Sequence, residues 1–434
     1  MEVSHRVARR DSFGLRRATI FLLVVLVIFS FKWQIVGVGE GGVRVDDIAI
    51  VLLFFLCFKF ARKSDFTKSA PFGIYIIFFA YSLCISIAAG LSGTVNLFIS
   101  TLFSLRLLEY MAFYFVGLAI VRLGLENKLY KFLGYYLIFL IIIIPLQLVG
   151  ILPVVSAFGS TRAIGNTNGP YELAAISGGL SMLFLFKRRM LLFWLAIGIC
   201  VAAAARITSA CVALLLIYHY RHVIRLHKPL IKNATNFSAV IVVAMFVLAG
   251  YVLTTSKFDR EENDSDVVSL LDRLDDASPA EFFKGLSDNF DSAMAFESAA
   301  VYQNSAFEDA IQSAKEQGGD ISGLIRTYRW ATLMRSTLAS PVTAVFGLGP
   351  SFGTAAVDGY YVRLFCELGL VGTIIFAVWL SRCLRTATFP LWVKGYLLIL
   401  MSTAIFIDIF VSFKPMLLMW MFFGIHIAKK TEGR

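Results

Sequence analysis

Two arginines three residues apart, Arg326 and Arg329, lie in "GLIRTYRWATLMRSTLAS", with Trp330 on the same turn and Arg335 further along. Helical spacing puts Arg326 and Arg329 on one face. A planar guanidinium fork makes paired, charge-assisted bonds to phosphate oxygens, so this pattern suits a diphosphate clamp. It also suits an amphipathic helix resting on a membrane surface. The chain then runs through "PVTAVFGLGPSFGTAAVDGYYVRLFCELGLVGT", which begins as a glycine-broken loop and becomes an apolar helix carrying Asp358, Arg363 and Glu367. An ionisable group within a membrane span costs about 2.5–3.5 kcal/mol on insertion scales, so such groups are candidates for function.

The elements that must hold these residues are membrane helices. Of 434 residues, 58% are hydrophobic and 16% charged, and the mean hydropathy is +0.76. Repeated apolar runs of this kind read as transmembrane helices. The pattern predicts an all-α polytopic membrane protein with about twelve spans, at 18–37, 46–60, 70–90, 102–121, 130–151, 171–186, 190–205, 207–220, 236–254, 357–380, 391–411 and 415–428. No small-residue cleavage site follows the first apolar run, so that run is expected to stay as an insertion signal. Three segments result: spans 1–9 over residues 1–254, a mostly helical loop subdomain over 255–356, and the last three spans with the C-terminus over 357–434. The loop is acidic, with 16 Asp and Glu against 8 Lys and Arg between Lys257 and Arg335.

The net charge of +11 sits in short loops between apolar runs. With twelve spans, the loops bearing Arg16, Arg62, Arg122, Arg189, Arg225 and Arg385 share one side, and the K/R bias makes that side cytoplasmic. Both termini are then cytoplasmic and the large loop faces outward. This distribution argues against a nucleic-acid partner. Six cysteines lie in or beside apolar runs without CxxC spacing, which predicts neither a disulfide framework nor a metal site.

Other polar residues in expensive places include Arg106 and Glu109, three apart on one face, which suit an ion pair or the lining of an outward cavity. Asp408 is expected to pair with Lys414 or with an arginine of a neighbouring helix. Arg162 sits in "FGSTRAIGNTNGPYELAAISGG", a loop rich in turn residues that feeds a helix with Glu172 in its first turn, where the dipole favours an acid. His219, His222 and His227 stand among arginines and read as basic lipid-facing surface. "GLGPSFG" lacks the GxGxxG spacing and a strand–helix setting, and there is no Walker motif.

In order, these pieces resemble the O-antigen polymerase and O-antigen ligase superfamily of bacterial envelope proteins. The resemblance rests on "TRAIGNTNGPYELAA", on "ARITSACVALLLI", where Arg206 precedes the serine that the family pattern places first, and on the stretch Arg326–Leu380. That stretch carries an RxxxW helix, a proline, "GLG", an aromatic pair and "ELGLVG". The family implies a C-type glycosyltransferase-like membrane fold with one large periplasmic loop late in the chain. It implies a glycan donor on undecaprenyl diphosphate, with no nucleotide sugar, metal or other cofactor required. Ligases carry a His-Asn pair nine and eight residues before the glutamate of ExGxxG. Counting back from Glu367 gives Asp358 and Gly359, so the histidine is missing and the polymerase branch is favoured.

The resemblance thus implies a polysaccharide polymerase of the bacterial inner membrane. It would move a lipid-linked glycan onto another lipid-linked repeat unit at the periplasmic face, in some systems beside a chain-length regulator protein. The alternatives are a ligase acting on lipid A–core, and a lipid-linked oligosaccharide flippase or transporter. The expected roles are Arg162, Arg326 and Arg329 on the diphosphate, with Arg206 and Arg335 in reserve and Arg106 at the cavity wall. Asp358 is the expected base, and Trp330, Tyr360 and Tyr361 stack on sugar rings or anchor at the interface. Glu367 is expected to be a structural partner for a buried arginine such as Arg106.

Overall fold

The computed structural model describes residues 2–31, 34–36, 43–67, 69–152, 163–203, 205–226, 286–290, 293–300, 321–353 and 357–433. In chain order the helices are α1 (Glu2–Phe29), α2 (Val45–Phe58), α3 (Lys63–Thr67), α4 (Ala70–Leu91), α5 (Leu97–Arg122), α6 (Glu126–Leu148), α7 (Pro170–Phe186), α8 (Met190–Ala202), α9 (Arg206–Leu226), α10 (Ile321–Leu338), α11 (Pro341–Phe346), α12 (Tyr360–Arg385), α13 (Leu391–Thr403) and α14 (Phe413–Thr431). A short antiparallel ribbon pairs β1 (Gln34–Val36) with β2 (Val43–Arg44).

The chain is a helical membrane protein. Four described helices are long and apolar enough to cross a bilayer: Ala70–Leu91, Leu97–Arg122, Glu126–Gln147 and Tyr360–Arg385. The helices Pro170–Phe186, Met190–Ala202 and Leu391–Thr403 are apolar but shorter. Most expected spans fall within a few residues of a helix. Two stop well short of their expected ends. The run 18–37 is helical only to Phe29 and then enters the ribbon, and 391–411 stops being α-helical at Thr403 before a 3-10 turn at Ile409–Val411. The span expected at 236–254 and most of the acidic loop lie outside the described residues.

Close packing of α5 against α14 forms the centre of the bundle. At Gly117 a Cβ would meet the Met421 carbonyl oxygen and the Gly424 Cα, and at Gly424 it would meet the Tyr114 carbonyl oxygen. The two backbones touch because neither residue has a side chain, the small-residue crossing common between membrane helices. Around the crossing, Tyr75, Tyr114, Trp379 and Trp420 form an aromatic cluster.

One end of the bundle is tied by ion pairs. Buried Asp65 accepts from Arg122 Nη2 at 2.7 Å, from the Arg62 backbone N–H at 2.7 Å and from Thr431 Oγ1 at 3.2 Å. Lys429 Nζ reaches Glu126 Oε1 at 2.5 Å. Arg62 and Arg122, two of the basic residues expected on one side, thus meet Asp65 at the end where Lys429 meets Glu126.

The α5–α14 crossing gives the first test. Gly424→Val forces a branched side chain into backbone, and overpacking of a tight core costs about 1–3 kcal/mol. The variant is expected to melt several degrees lower in detergent, whereas Gly198→Val, where a Cβ meets nothing within 4 Å, should melt close to the parent. Equal melting temperatures would remove the crossing from its central place.

Candidate functional site

The site is built where α10, α11 and the two glycine-rich turns lead into α12. Helix α12 is interrupted: Gly369 has φ 66° and ψ −169°, outside the helical region. Such a break strips carbonyls of their i+4 partners, and buried backbone groups must be satisfied another way. The loop after α11 supplies the donors. Leu348 N–H donates to the Cys366 carbonyl at 2.8 Å and Gly349 N–H to the Glu367 carbonyl at 3.0 Å. The Tyr81 hydroxyl donates to the Leu368 carbonyl at 3.0 Å. The fit is tight enough to demand glycine on both sides. Gly347 (φ 89°) lies against the Glu367 carbonyl, and a Cβ on Gly369 would strike the Val345 carbonyl. "FGLGPSFG" is thus a backbone patch laid into a broken helix, the kind of irregular structure tolerated where other protein groups enclose it.

Six residues before the break, Arg363 is 2% exposed and holds two carboxylates. Its Nη1 donates to Asp408 Oδ2 at 2.8 Å and its Nε to Glu367 Oε1 at 3.2 Å. The carboxylates in turn hold the loop. Asp408 accepts from the Val357 N–H at 2.9 Å and the Gly359 N–H at 3.4 Å, and Glu367 accepts from the Gly353 N–H at 3.3 Å. A guanidinium and two acids therefore hold the backbone donors of Gly353, Val357 and Gly359.

Asp358 stands between the two N–H groups bound to Asp408, so that clamp sets its position. Its backbone is left-handed, φ 56°, an unfavourable conformation for a residue with a Cβ but one that Asp tolerates better than most. Its side chain is 30% exposed and faces Arg326, with Nε to Oδ2 at 3.8 Å. Arg329 also acts electrostatically on it. Burial pushes the Asp358 carboxyl above its ordinary value of 3.8, against the lowering by Arg326 and with a further raising contribution from Asp408. The Arg326 side chain is only 15% exposed, and its buried Nε has no hydrogen-bond acceptor among the described residues. At 3.8 Å the contact with Asp358 is electrostatic rather than a hydrogen bond.

The structure places Arg326 beside Asp358, with Arg329 near enough to act on the carboxyl. It corrects other expectations. Trp330 is buried, donates Nε1–H to the Val357 carbonyl at 3.2 Å and stacks on Phe406. Its ring fills the space a Cβ on Gly359 would need, so it supports the turn and presents no face to a sugar. Tyr360 is 3% exposed between Phe376 and Phe410, and it too is packing. Tyr361 is half-buried and bonds the Met401 carbonyl at 2.9 Å. Glu367 pairs with Arg363 on its own helix rather than with Arg106, whose guanidinium lies 5.1 Å from the Phe103 ring centre. Arg335 is exposed and lies over Phe290 at 5.4 Å. Arg206 opens α9, and Arg162 lies outside the described residues.

Asp408 takes the neighbouring-helix arginine, one of its two expected partners. Lys414 does something the sequence did not suggest. It is 3% exposed, and its Nζ donates to the Ser30 carbonyl at 2.8 Å and the Asn166 carbonyl at 2.7 Å. The Asn166 side chain bonds the Ile28 carbonyl and the Tyr136 hydroxyl, and Gln147 makes a reciprocal pair with the Gly165 backbone. This second knot ties α1, α6, the α7 entry loop and α14 together. Its signal was the lysine at a helix start inside an apolar run, a cation too costly to leave unpaired. No family model, curated protein or solved structure matches this chain.

Two measurements probe the clamp. Arg363→Met strands two buried carboxylates, and breaking a buried charge network from one side costs about 3–5 kcal/mol. Its melting temperature in detergent should fall much further than that of Asp408→Asn, which keeps an acceptor for the Val357 N–H; equal losses would deny Arg363 its central role. The second concerns pH. A carboxyl whose folded pKa is raised adds stability below its unfolded value, and that contribution is lost as pH rises through the folded pKa. Stability should decline from pH 3.8 upward until Asp358 is ionised, and Asp358→Asn should flatten that part of the profile. An unchanged profile would show that Asp358 titrates like a solvated acid.

Proposed function

We propose that this chain is a polysaccharide polymerase that joins lipid-linked glycan repeat units at the outer face of the bacterial cytoplasmic membrane. The observation that carries the reading is Arg326: a nearly buried guanidinium whose Nε has no hydrogen-bond acceptor among the described residues, beside a carboxyl held in a left-handed turn. A diphosphate oxygen is the acceptor that such an arginine suits. The sequence resemblance supplies the substrate class, a glycan on undecaprenyl diphosphate. It also supplies the full architecture of twelve spans in a C-type glycosyltransferase-like arrangement, with the loop outward and both termini inside.

In this reading the donor diphosphate binds Arg326 and Arg329, with Arg162 contributing from its loop. Asp358 accepts a hydrogen bond from the attacking sugar hydroxyl. The bond from the anomeric carbon to the phosphate oxygen breaks, and the electron pair leaves with the lipid diphosphate. The bond from the acceptor oxygen to the anomeric carbon forms, and the hydroxyl proton passes to Asp358. Diphosphate binding draws Arg326 away from Asp358 and adds negative charge nearby. Both effects raise the basicity of the carboxylate when the hydroxyl is in place. The growing charge on the leaving group is met by guanidiniums held in position before the reaction begins.

The interrupted α12 favours a second reading, because broken helices line the substrate sites of many transporters. Purified protein given lipid-linked repeat units in detergent separates the two. Ladders of lengthening glycan establish the polymerase. Transfer only to added lipid A–core makes it a ligase, and substrate binding without covalent change makes it a transporter. Asp358→Asn should lower the rate by about 10²–10⁴-fold, the range for a positioned base. Arg326→Ala should lose about 10²–10³-fold, the range for one electrostatic donor. The acid limb of the rate profile should lie above the ordinary aspartate range, because ionised Asp358 is the active form and its carboxyl is raised. Near-parental ladders from both variants would remove these residues from the reaction.

A further inference from the structure

A concavity lies at the end of the bundle tied by Asp65 and Glu126. It has a volume of about 210 Å³ and lies between the first turn of α6 and the α7–α8 turn, lined by Asn127, Tyr130, Lys131, Phe184, Lys187 and Arg189. Three of these six are cations. Phe184 is fully buried and Tyr130 nearly so, and they form an apolar floor. Lys187 Nζ lies 4.4 Å from the centre of the Tyr130 ring. Among the described residues neither Lys131 nor Arg189 is in an ion pair, whereas Lys429, which acts electrostatically on Lys187, is paired with Glu126. Two helix starts, those of α6 at Glu126 and α8 at Met190, open beside it and add positive partial charge.

A loop whose only task is to set topology needs positive charge but no concave shape. Here the turn is shaped. Arg188 adopts a left-handed backbone, φ 55°, and the Arg189 N–H donates back to the Phe184 carbonyl at 2.9 Å. This closes α7 and leaves Lys187 and Arg189 on either side of the bend. The result is a basic rim over an aromatic and aliphatic floor, open at the surface. We propose that this cavity binds a phosphate-bearing anion, with its charge on Lys131, Lys187 and Arg189 and any apolar part on Tyr130 and Phe184. Basic recesses between membrane helices hold anionic lipid headgroups in this way, and a free phosphate offers the same chemistry. The site is independent of the proposed polymerase reaction and uses none of its residues.

The test uses the full chain purified in detergent and stripped of lipid. Phosphatidylglycerol, phosphatidylcholine and inorganic phosphate are added separately, with binding read by native mass spectrometry and by melting temperature. Lys131→Ala/Lys187→Ala/Arg189→Ala removes the cations of the cavity. Arg382→Ala/Arg385→Ala removes basic charge from another loop and serves as the control. Phosphatidylglycerol is expected to bind and to raise the melting temperature. Its affinity should fall at least roughly tenfold in the cavity variant and stay near the parental value in the control. Protection by inorganic phosphate instead, lost in the cavity variant alone, would keep the site and assign it to a free anion. Equal losses in both variants, or full binding by the cavity variant, would overturn the proposal, because the attraction would then be general surface charge. The melting temperature of the ligand-free cavity variant checks that it is folded, and all three cations are exposed.

Discussion

The guanidinium of Arg363 is the point on which the rest of the site depends. A cation almost without solvent cannot remain in a bundle of apolar helices unless its charge is balanced nearby. Glu367, one turn on, and Asp408, from the irregular segment between α13 and α14, provide that balance. Neither carboxylate is used up by the guanidinium. Their remaining acceptor capacity goes to the backbone N–H groups of Gly353, Val357 and Gly359. One buried charge network therefore fixes the backbone at Gly353, Val357 and Gly359, and with it the position of Asp358.

The break at Gly369 follows from the same constraint. A continuous α12 would satisfy its own carbonyls and leave the Leu348 and Gly349 donors with nothing to bond. Breaking the helix exchanges those partners, so the "GLG" loop is stitched to the helix at the Cys366 and Glu367 carbonyls, within the Arg363 clamp. With Tyr81 closing the third carbonyl, the chain is held by charge at Gly353, Val357 and Gly359 and by backbone bonds at Leu348 and Gly349. The lone acid of the turn can then be kept in a left-handed conformation facing Arg326. Such strain persists only where the surroundings over-determine it, and it concentrates at functional positions.

Much of this was legible in the sequence. The apolar runs located most helices to within a few residues, and the glycines of "FGLGPSFG" marked non-helical backbone next to a charged helix. The cost of intramembrane charge singled out Asp358, Arg363, Glu367 and Asp408. What spacing could not give was partner choice. Arg363 and Glu367 are four apart on one helix, yet the partner that completes the network lies on a segment distant in the chain. Trp330, Tyr360 and Tyr361 carry the same residue-type signal whether they stack on a ligand or fill a core, and only packing shows that Gly359 needs the Trp330 ring beside it. Lys414 was expected only as a partner for Asp408, and its acceptors are main-chain carbonyls, which leave no mark in side-chain patterns.

The central claim is that the turn held by Arg363 and the arginine face of α10 form one site for a lipid-linked diphosphate. It is tested most directly by photo-crosslinking the intact protein with a polyprenyl-diphosphate glycan analogue whose photoreactive group sits next to the diphosphate, and mapping the adducts by mass spectrometry. Adducts on the peptides spanning 321–338 and 357–360, competed away by unlabelled lipid diphosphate and lost in Arg326→Ala, are the predicted result. Competable adducts found only elsewhere in the chain would contradict the account.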